Sequence, residues 1–227
     1  GTFFNFKGHE MFSFITTNLI WTESLWIVIV LAAIAMLAWF IARPVTYLAL
    51  LAFIFCFYFF RNPERVCPEA LVDDSVIVCP ADGKVVDIQY DPNGGFKGYH
   101  QKISIFMSPL NVHVNRIPVA GTIEAIEYVP GKFMMAFLPK SSELNEHNDL
   151  VIKRVDGKSV LVRQIAGTVA RRIVCWVEQG QSVLAGQKYG MIKFSSRVDL
   201  FLPEQAKIDI KVGQKVYGGK TVIGRLA

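Results

Sequence analysis

Apolar positions along this chain fall into two regimes: two long runs near the start, then short alternating segments to the end. Residues 25–41 form an unbroken apolar run of 17, and residues 45–60 a second run of 16. Arg43-Pro44 lies between them, and Arg61-Asn62-Pro63-Glu64-Arg65 closes the second. A charged residue followed by proline disfavours one continuous helix, because proline has no N–H to donate and crowds the preceding turn. The pattern therefore predicts a hydrophobic helical hairpin over 25–60. A bilayer-spanning helix needs about 17–25 apolar residues, so each run is marginal. The hairpin reads as a short transmembrane pair or a re-entrant wedge. Arg61 and Arg65 flank its exit, and the positive-inside rule then puts the following domain on the cytoplasmic face of the inner membrane. Residues 1–24 form an N-terminal segment. Of these, 1–10 precede Met11, read as an appendage left over from expression, and are set aside.

After residue 66 short β-branched segments alternate with Gly, Pro and Asp turns. Strands are predicted at 75–78, 84–89, 102–106, 122–128, 150–154, 159–165, 171–176, 189–194, 197–202, 207–210 and 221–225. No amphipathic helix longer than about two turns interrupts them, which argues against parallel βαβ units. Gly180, Gly186 and Gly190 are spaced as tight turns require. Ala81-Asp82-Gly83, Ala120-Gly121 and Ala166-Gly167 are each expected to open a strand. The fold class is mainly β, and the turn pattern resembles the barrel-sandwich of lipoyl and biotinyl domains.

Composition adds limits. The chain is 52% hydrophobic with net charge +5, which beside an apolar hairpin suits an anionic membrane surface. No basic run with interleaved aromatics is present, so no nucleic-acid partner is expected. Cys56, Cys67, Cys79 and Cys175 form no Cys-x-x-Cys pair and read as buried thiols of a reducing compartment. The four histidines make no His-x-His or His-Glu-x-x-His pattern, so no metal is expected. Gly94-Gly95 lacks the helix that a phosphate loop needs, so no nucleotide is expected either.

Three stretches carry chemistry. The first is Phe59-Phe60-Arg61-Asn62-Pro63-Glu64-Arg65 with Cys79-Pro80-Ala81-Asp82-Gly83. The second is Met107-Ser108-Pro109-Leu110-Asn111-Val112-His113-Val114-Asn115-Arg116-Ile117-Pro118. The third is Gly190-Met191-Ile192-Lys193-Phe194-Ser195-Ser196-Arg197-Val198-Asp199. In this order and spacing they resemble the short, membrane-bound bacterial phosphatidylserine decarboxylases, from about residue 20 to the C-terminus. The resemblance implies a proenzyme that cuts itself between Ser195 and Ser196, with 61–227 as the catalytic domain. The Ser196 hydroxyl attacks the carbonyl of residue 195, the resulting ester is eliminated, and hydrolysis leaves a pyruvoyl group on the fragment 196–227. That group forms a Schiff base with the serine headgroup and takes up the electrons left by CO2, giving phosphatidylethanolamine. A ketone built from the chain does what pyridoxal does elsewhere.

The same resemblance implies His113 as the base for Ser196 and Asp82 as the group that orients His113, an Asp–His–Ser arrangement. Arg116 and Arg197 are expected to hold the substrate phosphate or carboxylate. The long bacterial forms tend to carry a second histidine where this chain has Arg116, so His113 is expected to do both jobs. His100 and His147 read as structural or surface residues, His147 in a polar loop over 140–149. The apolar segment 129–139 either touches acyl chains or covers the core.

One departure stands out. The family has glycine before the reactive serine, and this chain has Ser195. A side chain there should hinder approach to the carbonyl, so an uncleaved or slowly cleaving form is expected. Competing readings are a decarboxylase of another serine-headed lipid, a carrier domain modified on Lys193, and a tethered peptidase. The partners expected are a phospholipid and a membrane, with a homodimer left open.

Overall fold

The computed structural model describes residues 20–132, 141–167, 172–193 and 196–226. Ser195, residues 133–140 of the apolar segment, and the predicted strand ends at 171 and 194 lie outside the described residues. Two compact units are present, residues 1–64 and 65–227.

The first unit carries α1 (Trp21–Ile41) and α2 (Arg43–Phe59). Ala42 between them is extended, and Pro44 occupies the first turn of α2, where its missing N–H costs nothing. The chain doubles back, since the Ile20 N–H meets the Phe60 carbonyl at 3.1 Å. Many large apolar side chains remain exposed, among them Trp26, Met36, Leu37 and Ile41 on α1 and Leu48 and Leu51 on α2. Among the described residues no helix is long and apolar enough to cross a membrane.

The second unit is mainly β. Its strands are β1 (Val76–Val78), β2 (Gly83–Tyr90), β3 (Gln101–Met107), β4 (Val114–Arg116), β5 (Gly121–Val129), β6 (His147–Lys153) and β7 (Ser159–Ala166). They continue as β8 (Ile173–Cys175), β9 (Ser182–Val183), β10 (Lys188–Ile192), β11 (Ser196–Leu202), β12 (Ala206–Ile208), β13 (Lys215–Val216) and β14 (Val222–Leu226). A short helix, α3 (Ser141–Leu144), precedes β6. Three sheets result, in orders β1-β14-β12, β4-β10-β8 and β13-β2-β3-β11-β7-β6-β5-β9. Among the described residues the pairings between these strands are all antiparallel, as expected without helical crossovers.

The centre of the large sheet sets the core. Ile103, Ile105 and Met107 of β3 lie in register with Leu200, Val198 and Ser196 of β11. Val162, Gln164 and Ala166 of β7 flank β11 on the other side. Side chains alternate along a strand, so these residues share the core face, and the aliphatic ones are completely buried. Burying each large aliphatic side chain contributes about 1.5–3 kcal/mol.

The opposite face is also covered, by polar chemistry. Arg163 grips Asp149 at two points, 2.6 and 2.7 Å, and Lys97 reaches Asp149 at 2.8 Å. Ser142 of α3 donates to Asp199 at 2.6 Å and accepts from Arg163 at 2.7 Å. Burial alone would raise the Asp149 carboxyl, but hydrogen bonds from Arg163 and Lys97, with their charges, hold it below the usual carboxylate range.

Several expectations change. β4, β9 and β13 were not predicted: two or three residues between Pro and Gly turns show no readable period. β6 starts at His147, so the expected polar loop over 140–149 is instead a helical turn and a strand. His147 is buried, with Nδ1 2.7 Å from the Asn145 carbonyl. Gly83 and Gly121 open strands as expected, but Ala166 ends one. Gly180 and Gly186 take positive φ, +85° and +82°. Gly190 serves close approach instead, because a Cβ there would lie 2.3 Å from the Val174 carbonyl oxygen.

Candidate active site

Ser196 is the first residue of β11, completely buried on the core face. Met107 and Ala166 are its cross-strand partners. Its hydroxyl donates to Met107 Sδ at 3.4 Å. A thioether is a weak acceptor, so the hydroxyl is sheltered from water yet loosely held. Residue 195, whose carbonyl it would attack, lies outside the described residues.

His113 stands immediately before β4 and is completely buried. Its Nδ1 lies 2.9 Å from the Asn111 carbonyl oxygen. A carbonyl can only accept, so Nδ1 carries a hydrogen, which leaves Nε2 as the ring nitrogen that a general base would use. The turn that presents it is fixed locally: Asn111 Oδ1 accepts from the Ser108 backbone N–H at 2.9 Å and its hydroxyl at 2.8 Å. Alternation along the extended chain sends His113 and Asn115 to one side and Val114 and Arg116 to the other. Asn115 Nδ2 lies 3.6 Å from the same Met107 sulfur. His113 is thereby on the Ser196 side of β4.

Asp82 does not occupy the expected place at His113 Nδ1, which the Asn111 carbonyl takes. Both its oxygens are gripped by the Arg65 guanidinium, and Oδ1 also accepts the Gly218 N–H at 2.8 Å. Arg116 is buried beside this pair and donates to the Gly186 carbonyl at 2.9 Å. Burial, and then the charge of Arg65, lower its pKa against the opposing pull of Asp82. Arg65 binds the carboxylate directly, while Arg116 lies within reach of both charges. Arg65 belongs to the first motif stretch, but the sequence offers it no role in the site beyond marking the hairpin exit. Its wide sequence separation from Gly218, whose carbonyl it also contacts at 2.9 Å, hid the rest.

Arg197 differs more sharply from expectation. It follows Ser196 on the same strand, so its side chain emerges on the opposite face of the sheet. There it closes on Asp199, with Nε–Oδ1 and Nη2–Oδ2 both 2.7 Å, and it is almost fully buried. Ser196 and Arg197 therefore do not face one substrate. A cavity of about 510 Å3, lined by residues that include Lys97, Lys102, Arg163 and Phe201, opens near this second face, and Ser196, His113 and Asp82 are not among its lining residues.

Three amide side chains, Asn115, Gln164 and Asn148, are buried behind Met107, and no motif or period signals them. Polar residues on alternating strands read as solvent-facing. Among the described residues no group of three His, Cys, Asp or Glu side chains is placed to hold a metal ion.

Comparison with known proteins bears directly on this geometry. A family model described as phosphatidylserine decarboxylase matches residues 52–224. A phosphatidylserine decarboxylase proenzyme of Ehrlichia chaffeensis is 51% identical over 174 residues, covering 75% of each chain. One from Syntrophus aciditrophicus is 44% identical over 188 residues, covering 82% of this chain and 84% of that protein. One from Chlorobium phaeobacteroides is 51% identical over 172 residues, covering 76% and 79%. The matched span holds the buried Ser196, the His113 turn and the Asp82 cluster, and on that ground the chain belongs to the phosphatidylserine decarboxylase family.

Proposed function

We propose that this chain is the proenzyme of a phosphatidylserine decarboxylase that makes its own pyruvoyl group from Ser196. The observation that supports the reading is a completely buried Ser196 hydroxyl held only weakly, by the Met107 sulfur; the buried His113 ring, with a hydrogen on Nδ1, fits it as the base. The residues present fit a carbonyl built at position 196. The position is dry, and Met107 and Ala166 leave no strong hydrogen-bonding group opposed to it in the ladder.

In processing, His113 Nε2 takes the Ser196 hydroxyl proton as Oγ attacks the carbonyl carbon of residue 195. The proton passes to the Ser196 amide nitrogen as the C–N bond breaks, leaving an ester. Loss of the Ser196 Cα proton then expels the carboxylate of residue 195 and leaves dehydroalanine, whose imine tautomer is hydrolysed by water to the ketone with release of ammonia. The pyruvoyl group that results supplies an electron sink for the carbanion left by CO2. Arg116, Arg65 and Asp82 form a cluster of two positive charges and one negative on the other side of β4 from His113, a place that fits Arg116 for holding the neighbouring turns rather than the headgroup. His113 returns the proton to the product carbon.

Ser195 in place of glycine makes this form slow to process. The test restores glycine by Ser195→Gly and follows two signals, a 32-residue fragment on a denaturing gel and CO2 release from phosphatidylserine vesicles. Both are expected. Cleavage without lipid decarboxylation would instead favour another serine-headed amine, and His113→Ala in that background should abolish cleavage.

The exposed apolar side chains of α1 and α2 support membrane attachment by a hairpin wedged into one leaflet, with Arg61 and Arg65 at the cytoplasmic surface. Short strands joined by positive-φ glycines such as Gly180, Gly213 and Gly219 support a barrel-sandwich of the lipoyl type for residues 65–227.

A further inference from the structure

Four carboxylates are buried among the described residues: Asp82, Glu146, Asp149 and Asp199. Three of them are held by arginine. Arg65 grips Asp82, Arg163 grips Asp149, and Arg197 grips Asp199. Among the described residues no Lys, Arg or His pairs with Glu146. Its carboxylate is met by the Tyr128 hydroxyl, a neutral donor on β5. Burying a charge is costly unless an opposite charge repays it. Glu146 is only 7% exposed, and among the described residues it lacks that repayment.

The ladder places Glu146 in the row of Ser196. Ser196 of β11 lies directly opposite Ala166 of β7. On the other side of β7 the Ala166 N–H donates to the Glu146 carbonyl at 2.9 Å, so the pairing with β6 extends one residue before His147. The neighbours settle which face the side chain takes. Asn148 and Gln164 stand opposite each other, and Asn148 Nδ2 donates to Gln164 Oε1 at 3.2 Å. Gln164, which also donates to Asn115 at 2.8 Å, is in the core-facing row with Val160, Val162 and Ala166. Asn148 therefore takes the core side of β6, and Glu146, two residues earlier, takes the same side. Tyr128, opposite Asn148 on β5, reaches the Glu146 carboxylate across that face. Ser196, Ala166 and Glu146 thus lie side by side, with the small Ala166 in the middle. Ser196 and Glu146 are two strand spacings apart, about 10 Å.

A serine headgroup brings the missing charge. It carries an ammonium on the carbon that loses CO2, and that nitrogen must reach the carbonyl made at position 196. We propose that the Glu146 carboxylate binds the headgroup ammonium and orients it over Ala166 toward position 196, which makes Glu146 a substrate-binding residue that selects for an amine. The inference rests on the decarboxylase reading above. A nitrogen about 2.8 Å from a carboxylate oxygen and about 3–3.5 Å from the carbon it attacks fits the span that the glutamate stem leaves open. The nitrogen must shed a proton before it attacks, and the same carboxylate is an acceptor in contact with it. In a dry site a charge-assisted hydrogen bond of this kind is strong.

The experiment uses the full chain in lipid bilayers, with Ser195→Gly as the parent and Glu146→Gln added to it. Glutamine keeps the volume and removes the charge. Cleavage on denaturing gels should match the parent, because Glu146 is assigned to the substrate and not to processing. The urea midpoint without ligand should be equal or higher, because a buried charge without a partner has gone. Calorimetric binding of glycerophosphoethanolamine to the cleaved protein should weaken about tenfold. Glycerophosphoglycerol, which has no ammonium, should bind the cleaved parent more weakly than the amine does and should bind both proteins alike. KM for phosphatidylserine should rise by a similar factor. A variant that fails to fold or has a lower midpoint makes Glu146 a structural carboxylate and overturns the inference. A folded variant that stays whole assigns Glu146 to processing and overturns it too, as does a parent with no preference for the amine or an equal loss of both probes. A parent that stays whole, or that cleaves without releasing CO2 from phosphatidylserine, overturns the decarboxylase reading itself, and the inference with it.

Discussion

The Ser196 hydroxyl lies 3.4 Å from the sulfur of Met107, the residue directly opposite it in the ladder between β11 and β3. A stronger acceptor would hold the hydroxyl in place and raise the cost of turning it toward a carbonyl. Met107→Leu conserves volume and costs less than about 1.5 kcal/mol in stability. In the Ser195→Gly background it should process at the parental rate or faster, as a gel time course would reveal. A large slowing would mean that the sulfur assists the reaction.

The pair Arg197–Asp199 is structural, and its loss should appear as instability. Asp199→Asn leaves the buried Arg197 guanidinium without its opposite charge, and removing one partner of a buried pair costs about 3–5 kcal/mol. A urea titration should therefore shift strongly to lower midpoint. An unchanged midpoint with a raised KM would return Arg197 to the headgroup.

Asp149 predicts an acid-sensitive fold. Its folded pKa lies below the ordinary value of about 3.9, so the unfolded state takes up the proton first. Its stabilisation is complete above that ordinary value and is lost as pH falls through the lower folded one. Asp149→Asn should be less stable at neutral pH, because Arg163 loses its partner, and should lose less stability between about pH 4 and pH 2. Parallel acid limbs in the two proteins would contradict this.

Cys79 should be inert in the native state. Burial, with the nearby Asp82 charge adding to it, pushes its thiol up to about 12. Burial likewise raises Cys175. Iodoacetamide at about pH 8, well below the Cys79 value, should leave Cys79 unmodified by mass spectrometry until urea unfolds the chain. Rapid native labelling would mean that the turn before β2 opens.

Much of the β unit was legible because its long strands alternate clearly. The predicted 102–106, 159–165 and 197–202 lie within one residue of β3, β7 and β11. The motif singled out Ser196 and His113, and both are completely buried. The partner of Asp82 was not legible. Arg65 and Gly218 reach it from opposite ends of the second unit, and no local pattern links them. Arg197 could have been corrected from sequence alone, since a residue next to Ser196 on one strand must face the other way.

The amino-acid sequence by itself determined the candidate serine and histidine of the family motif, the apolar helices and the antiparallel β character. These follow from residue chemistry and from periods of two or of helical length, which are local properties. Tertiary structure alone decided that Asp82 holds arginine, that Met107 receives the Ser196 hydroxyl, and that three amides line up behind that sulfur. Those are contacts between strands distant in the chain, and they depend on register and on which face each side chain takes after the sheets have closed.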